Sequence, residues 1–220
     1  MGRVALSAAS GPELMALVAA GEPGAFEMLM RTHNQRLYRT ARSILRDEAE
    51  AEDVVQEAYL LAYRKAASFR GEASLATWLT RIVVNEASGR LRRRQRREGI
   101  LHLVPGSEEE SMDEVPEAAG GAPEQAALRA EARRLIEARI DALPERLRTV
   151  FVLRAVEDMS AVETAAALGI PEATVRSCFF RARAMLRAAL ARDFDDAAAS
   201  AFAFDGLRCD RIVAAVLARV

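Results

Sequence analysis

The sequence predicts an all-α protein of two small helical domains joined by a flexible acidic linker. Three observations carry that prediction. Apolar residues return at three- and four-residue intervals, as in Leu75, Leu79 and Ile82 and again in Val175, Phe179, Ala182 and Leu186. Alanine is abundant and no run of alternating β-branched residues marks a strand. Between the two helical halves, Glu98 to Glu124 carries eight acids, no Lys or Arg, Pro105, Pro116, Pro123 and the pair Gly120-Gly121. Such a stretch buries little and does not sustain a helix.

In the N-terminal half the pattern gives helices near 12–20, 25–45, 49–67 and 75–94, with Ser74 as N-cap of the last. Gly21-Glu-Pro-Gly24 and Phe69-Arg-Gly71 interrupt it. In the C-terminal half, helices are expected near 123–142, 145–156, 161–168 and 172–191, then a short one at 210–218. Domain bounds follow: a flexible start at 1–11, a first unit at 12–97, the linker at 98–123, a second unit at 124–191 and an extension at 192–220.

Composition excludes several classes. At 220 residues, 51% hydrophobic and 29% charged, the chain can bury a core. No block of about 18 apolar residues offers a membrane span. Met1 to Gly11 lacks a charged start before an apolar block, so no secretory signal is expected and the cytoplasm is the expected setting. Cys178 and Cys209 form neither a disulfide framework nor a metal-ligand spacing. His33 and His102 are isolated, and no phosphate-binding GxxxxGK[ST] loop is present. No catalytic residues, no metal and no cofactor are expected.

The net charge of −1 conceals a strong segregation. Arg90 to Arg97 (RLRRRQRR) holds six arginines, whereas Asp47 to Glu57 (DEAEAEDVVQE) holds six acids. Arg81, Asn85, Ser88 and Arg92 fall on one stripe of the fourth helix, a pattern that suits phosphates with an amide left for a base edge. The sharpest local signal lies at 160–187. Ser160 and Glu163 form a capping box, Pro171 opens the next helix, and Ala165, Gly169 and Val175 have helix-turn-helix spacing. On the second helix Val175, Phe179, Ala182 and Leu186 face inward, with Cys178 beside them as a small core filler. Arg176, Phe180, Arg183 and Arg187 share another face, and such a helix can enter the major groove. A single Trp among Leu75, Leu79 and Ile82 is expected in the core rather than as a stacking platform.

The segments from Ala25-Phe26 through Leu37-Tyr38 and AEDVVQEAYLLAYRKAASFRGEASLATWLTRIVVNEA resemble region 2 of an extracytoplasmic-function (ECF, group IV) sigma factor of the sigma-70 family. ALPERLRTVFVLRAVEDMSAVETAAALGIPEATVRSCFFRARAML resembles region 4 of that family. The resemblance implies a transcription initiation factor, not an enzyme, whose partners are core RNA polymerase (β′ clamp helices and β flap), promoter DNA and an anti-sigma factor. It implies polymerase contacts at Asp53, Val54, Gln56 and Glu57. It implies −10 contacts at Ser68, Phe69, Arg70, Gly71, Ser74, Arg81, Asn85 and Arg92, the loop 68–74 holding a flipped base. For the −35 element it implies Thr174, Arg176, Ser177, Phe180, Arg181 and Arg183. Cys178 and Phe180 depart from the family's usual basic residue and frequent histidine, leaving the −35 preference open. Two readings compete: a stand-alone helix-turn-helix operator-binding regulator, and an adaptor that binds only protein. The acidic helix at Asp47–Glu57 separates the sigma-factor reading from an operator-binding regulator, which has no use for it. In the tail, Ile212, Val213, Val216 and Leu217 form one stripe, expected to pack as a short helix.

Overall fold

The computed structural model describes residues 9–101, 123–201 and 206–218, and among them every regular element is helical. The first unit holds α1 (Gly11–Ala19), α2 (Ala25–Leu45), α3 (Glu48–Arg64), a 3₁₀ turn (Ala66–Ser68) and α4 (Leu75–Leu101). Local chemistry sets the starts. Ser10 and Glu13 close a capping box on α1, the Asp47 carboxylate accepts from the Glu50 amide at 2.7 Å, and Ser74 Oγ accepts from the Thr77 amide at 3.1 Å. Gly24 enters α2 with φ of 83°, a conformation in which a side chain would be strained. Leu29, Leu37, Val54, Leu79 and Val83 meet in one continuous apolar core. Trp78 packs half-buried against that core, as expected.

The second unit holds α5 (Pro123–Asp141), α6 (Glu145–Phe151) running into a π-helical turn (Val152–Val156), α7 (Ala161–Leu168) and α8 (Glu172–Ala201); α9 (Gly206–Leu217) follows. Three expectations are corrected. First, α4 continues through Glu98–Leu101, so the acidic segment begins inside a helix; its residues 102–122 lie outside the described residues. Second, α8 runs ten residues past 191 to Ala201, anchored where Arg139 of α5 bonds Asp193. Third, α9 does not pack as expected, for Ile212, Val213, Val216 and Leu217 are all at least 50% exposed.

The two units pack against each other, α2 on α6 and its π turn, and α4 on α7. Arg148, 2% exposed, is the centre of the seam. Its guanidinium donates to the Ser43 and Ile44 carbonyls at the end of α2 and to the Asp141 and Leu143 carbonyls at the end of α5. Carbonyls in the last turn of a helix have no partner within it and carry the negative end of its dipole. One buried cation therefore joins two helix C-termini from different units. Burial and neighbouring Arg46 lower its pKa, the Asp141 and Glu145 carboxylates opposing them. Around it, Arg42 grips Asp141 at 2.8 and 3.2 Å, and the buried Glu157 accepts from Arg36 and Arg39 at 3.3 and 3.2 Å. Leu168 adds an apolar contact to the first unit's core.

Candidate nucleic-acid interface

On α3 the sequence places a stripe inward and a ridge outward, and the structure separates them. Asp53, Gln56 and Glu57 are exposed, but Val54 is 0% exposed inside the core. The assignment of Val54 to a polymerase contact is thereby corrected: it belongs to the buried stripe with Val55 and Ala58. The exposed ridge continues one and two turns on through Leu60 (56% exposed) and Tyr63 (50%), which were not singled out from sequence. Their signal was available, since they lie four and seven residues beyond Gln56.

The acidic ridge is not separate from the arginine cluster. Arg90 reaches Asp53 at 3.3 Å and Glu57 at 3.1 Å, and Arg94 reaches Glu50 at 3.4 Å. Arg92, Arg93, Arg96 and Arg97 stay exposed. Arg81, Asn85 and Arg92 are all exposed, so the seam leaves these three uncovered.

The loop 68–74 links the 3₁₀ turn to α4. Ser68 Oγ donates to the Lys65 carbonyl at 2.7 Å and the Phe69 ring tilts against Trp78 at 5.2 Å, half-buried. Arg70, Gly71 and Ser74 are exposed, and Gly71 has φ of 72° with Pro12 close by, so a side chain there would be strained and crowded. A hollow of about 1000 Å³ opens beside Gly71–Leu75 against α1 and the start of α2. His33 sits in its wall, and burial, then the Arg36 charge, lowers its pKa.

In the second unit the capping box forms as expected, Glu163 accepting from the Ser160 amide at 2.9 Å and Ser160 Oγ accepting from the Glu163 amide at 3.1 Å. Hydrogen bonds to it from the Ser160 amide and then the Ser160 hydroxyl hold the Glu163 carboxyl below its usual range. Gly169 takes φ of 64° between α7 and α8. Val175, Ala182 and Leu186 are buried, Phe179 is half-buried, and Cys178 fills core space.

The outward face of α8 carries two stripes. Arg176, Phe180, Arg183 and Arg187, with Arg154 from the π turn, line a groove of about 540 Å³. Arg154 and Arg183 both lie over the Phe179 ring, at 5.4 and 5.7 Å. Arg176 pairs with Glu172 one turn earlier at 2.5 Å. The second stripe holds Thr174, Ser177 and Arg181; the Ser177 hydroxyl donates to the Thr174 carbonyl at 3.0 Å, and Arg181 is exposed. Arg154 was missed from sequence because it precedes the helix-turn-helix and reaches the groove only through the fold.

Comparison with known proteins agrees with both units. Residues 29–97 match the family model for Sigma-70 region 2, and residues 133–186 match that for Sigma-70 region 4. The RNA polymerase sigma-H factor of Pseudomonas aeruginosa is 35% identical over 81% of this chain and 92% of that protein. The ECF RNA polymerase sigma factor SigM of Mycobacterium tuberculosis is 36% identical over 80% of this chain and 83% of its own length. Among solved structures, the sigma factor RpoE of Bartonella quintana, in complex with the anti-sigma factor NepR, superposes with a TM-score of 0.61 at 25% identity. That likeness covers 76% of this chain and 97% of that one.

Proposed function

The chain belongs to the sigma-70 family of RNA polymerase sigma factors, in its extracytoplasmic-function group, and from that membership we propose how its surfaces divide the work of transcription initiation. As a sigma factor it directs core RNA polymerase to promoters. The α3 ridge of Asp53, Gln56 and Glu57, extended by Leu60, docks on the polymerase. The loop 68–74 holds a flipped −10 base, with Arg81 and Arg92 on phosphates and Asn85 at the pocket's edge. The face of α8 carrying Arg176, Phe180 and Arg183 enters the −35 major groove, with Thr174, Ser177 and Arg181 beside it. Phe69 supports the loop from within, tilted against Trp78. An anti-sigma factor, the kind of partner NepR is to the Bartonella protein, completes the set, and the cytoplasm is where these partners meet.

The chain supplies binding and not chemistry. Opening about ten base pairs costs on the order of 10 kcal/mol, at about 1.4 kcal/mol per stacking step. Flipping one or two bases into a pocket accounts for a few kcal/mol each. The rest comes from the polymerase.

The packed arrangement of the two units adds a requirement. Elements centred near −10 and −35 lie about 25 base pairs apart, roughly 85 Å at 3.4 Å per step. Two units in direct contact cannot span that distance, so the seam around Arg148 and Glu157 opens when both elements are engaged. The seam suits this: Arg148, Arg42 and Glu157 hold it through polar contacts, and in the same helices α4, α6 and α7 the buried hydroxyls of Thr80, Thr149 and Thr164 have no hydrogen-bond partners.

The observation that carries the reading is one chain with an exposed acidic ridge beside a basic helix and, apart from it, an arginine-lined helix-turn-helix. A stand-alone operator-binding regulator accounts for α7 and α8 but leaves the ridge and the region 2 match without a role. Reconstitution with core polymerase tests it. The triple change Asp53→Lys, Gln56→Lys and Glu57→Lys should lower core association and run-off transcription at least tenfold with the helical circular dichroism unchanged. Undiminished association would refute the assignment.

A further inference from the structure

Phe180, at 75%, is the most exposed large apolar side chain among the described residues. It does not stand on an apolar patch. Arg176 lies one turn before it, Arg183 and Arg187 lie one and two turns after, and Arg154 stands across the groove. Its bed is fixed, since Arg154 and Arg183 both stack on the neighbouring Phe179 ring and Arg176 is held by Glu172. A phenyl ring held in water among cations forfeits burial, a cost recovered only when an anionic partner brings an apolar group to it.

Duplex DNA meets both demands. Its phosphates suit the arginines, and in the major groove thymine alone among the four bases presents a methyl group, at C5. A phenyl ring has no donor or acceptor for the other edges. Resting on the assignment of α8 to the −35 element, we infer that Phe180 reads the C5-methyl group of a thymine in that element. Arg176 and Arg183, on the same face within one turn on either side, bracket the base it selects. The −35 preference that the sequence left open is thus fixed at one position by an apolar contact.

The test uses holoenzyme assembled from this chain and core RNA polymerase, selected on promoters with a randomised −35 region. Thymine should be enriched at one position, and deoxyuridine, which lacks only the methyl, is then placed there. The expected penalty is about fourfold in promoter binding, the equivalent of about 0.8 kcal/mol or one buried methylene-sized group. In Phe180→Ala, whose exposed site leaves the fold intact, thymine and deoxyuridine should bind alike. Equal binding of the two bases by the unmodified holoenzyme overturns the inference, and is what a ring seated in a protein pocket would give. So does a penalty that survives in Phe180→Ala. If scrambling the entire −35 region changes nothing, the assignment of α8 itself fails, an outcome distinct from methyl insensitivity at a site still selected for sequence.

Discussion

The two units hold themselves together by different means. In the first, α1 to α4 close around one continuous core in which Met15, Leu29, Leu37, Leu45, Val54, Leu79 and Val83 are almost wholly buried. In the second, the buried apolar residues fall into three separate clusters, centred on Ala182, Val175 and Leu153. What the second unit lacks in apolar core it recovers at the seam, where Arg148 and Glu157 are buried by contact with α2. The first unit is built to persist and the second to lean. Polar groups in the seam exchange their partners for water when it opens, which suits the proposed engagement of two promoter elements by the two units.

That contrast can be broken by substitution. The largest effect is expected at Leu37→Ala, which opens a cavity in the continuous core and should cost about 3–5 kcal/mol in denaturant unfolding. Leu153→Ala, in a small cluster, should cost nearer 2 kcal/mol. Equal costs would mean that the second unit is as well packed as the first. Arg148→Met comes next. It removes the cation shared by two helix ends, leaves their carbonyls unsatisfied and should weaken the seam by about 2–3 kcal/mol. Small-angle scattering should then show a larger radius of gyration with unchanged helix content. An unaltered radius would place the seam's strength in Leu168 and the Glu157 pairs instead.

Smaller effects sharpen the picture within each unit. Ser160→Ala removes the α7 cap and should cost about 1 kcal/mol, measured by thermal unfolding. The Glu163 carboxyl, held below its usual range, contributes stability present above its unfolded pKa and lost as pH falls through its lower folded one; Glu163→Gln should flatten that acid limb. His33 has the opposite chemistry. Burial favours its neutral form, so below its unfolded pKa of about 6.5 the unfolded chain binds the proton first and stability declines with acid. In His33→Gln the decline between about pH 7 and 5 should be shallower, the smallest of these effects.

Much of this was legible before any coordinates, because its causes are local. Ser74, the Ser160–Glu163 box and Gly169 act on amides within a few residues, and each lies where its spacing put it. The outward set Arg176, Phe180, Arg183 and Arg187 follows from helical period alone. Val54 is buried where the resemblance implied a contact because a resemblance transfers a segment and not a face; Val54 shares the core with Val55 and Ala58. The ends of α4 and α8 lie beyond the sequence bounds because a helix already running carries on into an acidic run, at Glu98, and past the end of a family segment, to Ala201. The seam was illegible for a deeper reason. Arg148 lies among Leu147, Val150 and Leu153 as an ordinary charge on an amphipathic helix, and the two partners that make it a seam residue are backbone carbonyls about a hundred residues away. Nothing in a side-chain pattern marks a carbonyl as needing a donor.

The separation of the two units tests the account most directly. With Cys209 replaced and labels at the exposed positions Asn34 on α2 and Ala166 on α7, distances can be measured in the free chain and in holoenzyme on promoter DNA. The account predicts a short distance in the free chain that lengthens by more than about 30 Å when both promoter elements are bound, as the roughly 85 Å between them requires. A distance unchanged by a promoter that is demonstrably engaged at both elements would contradict it.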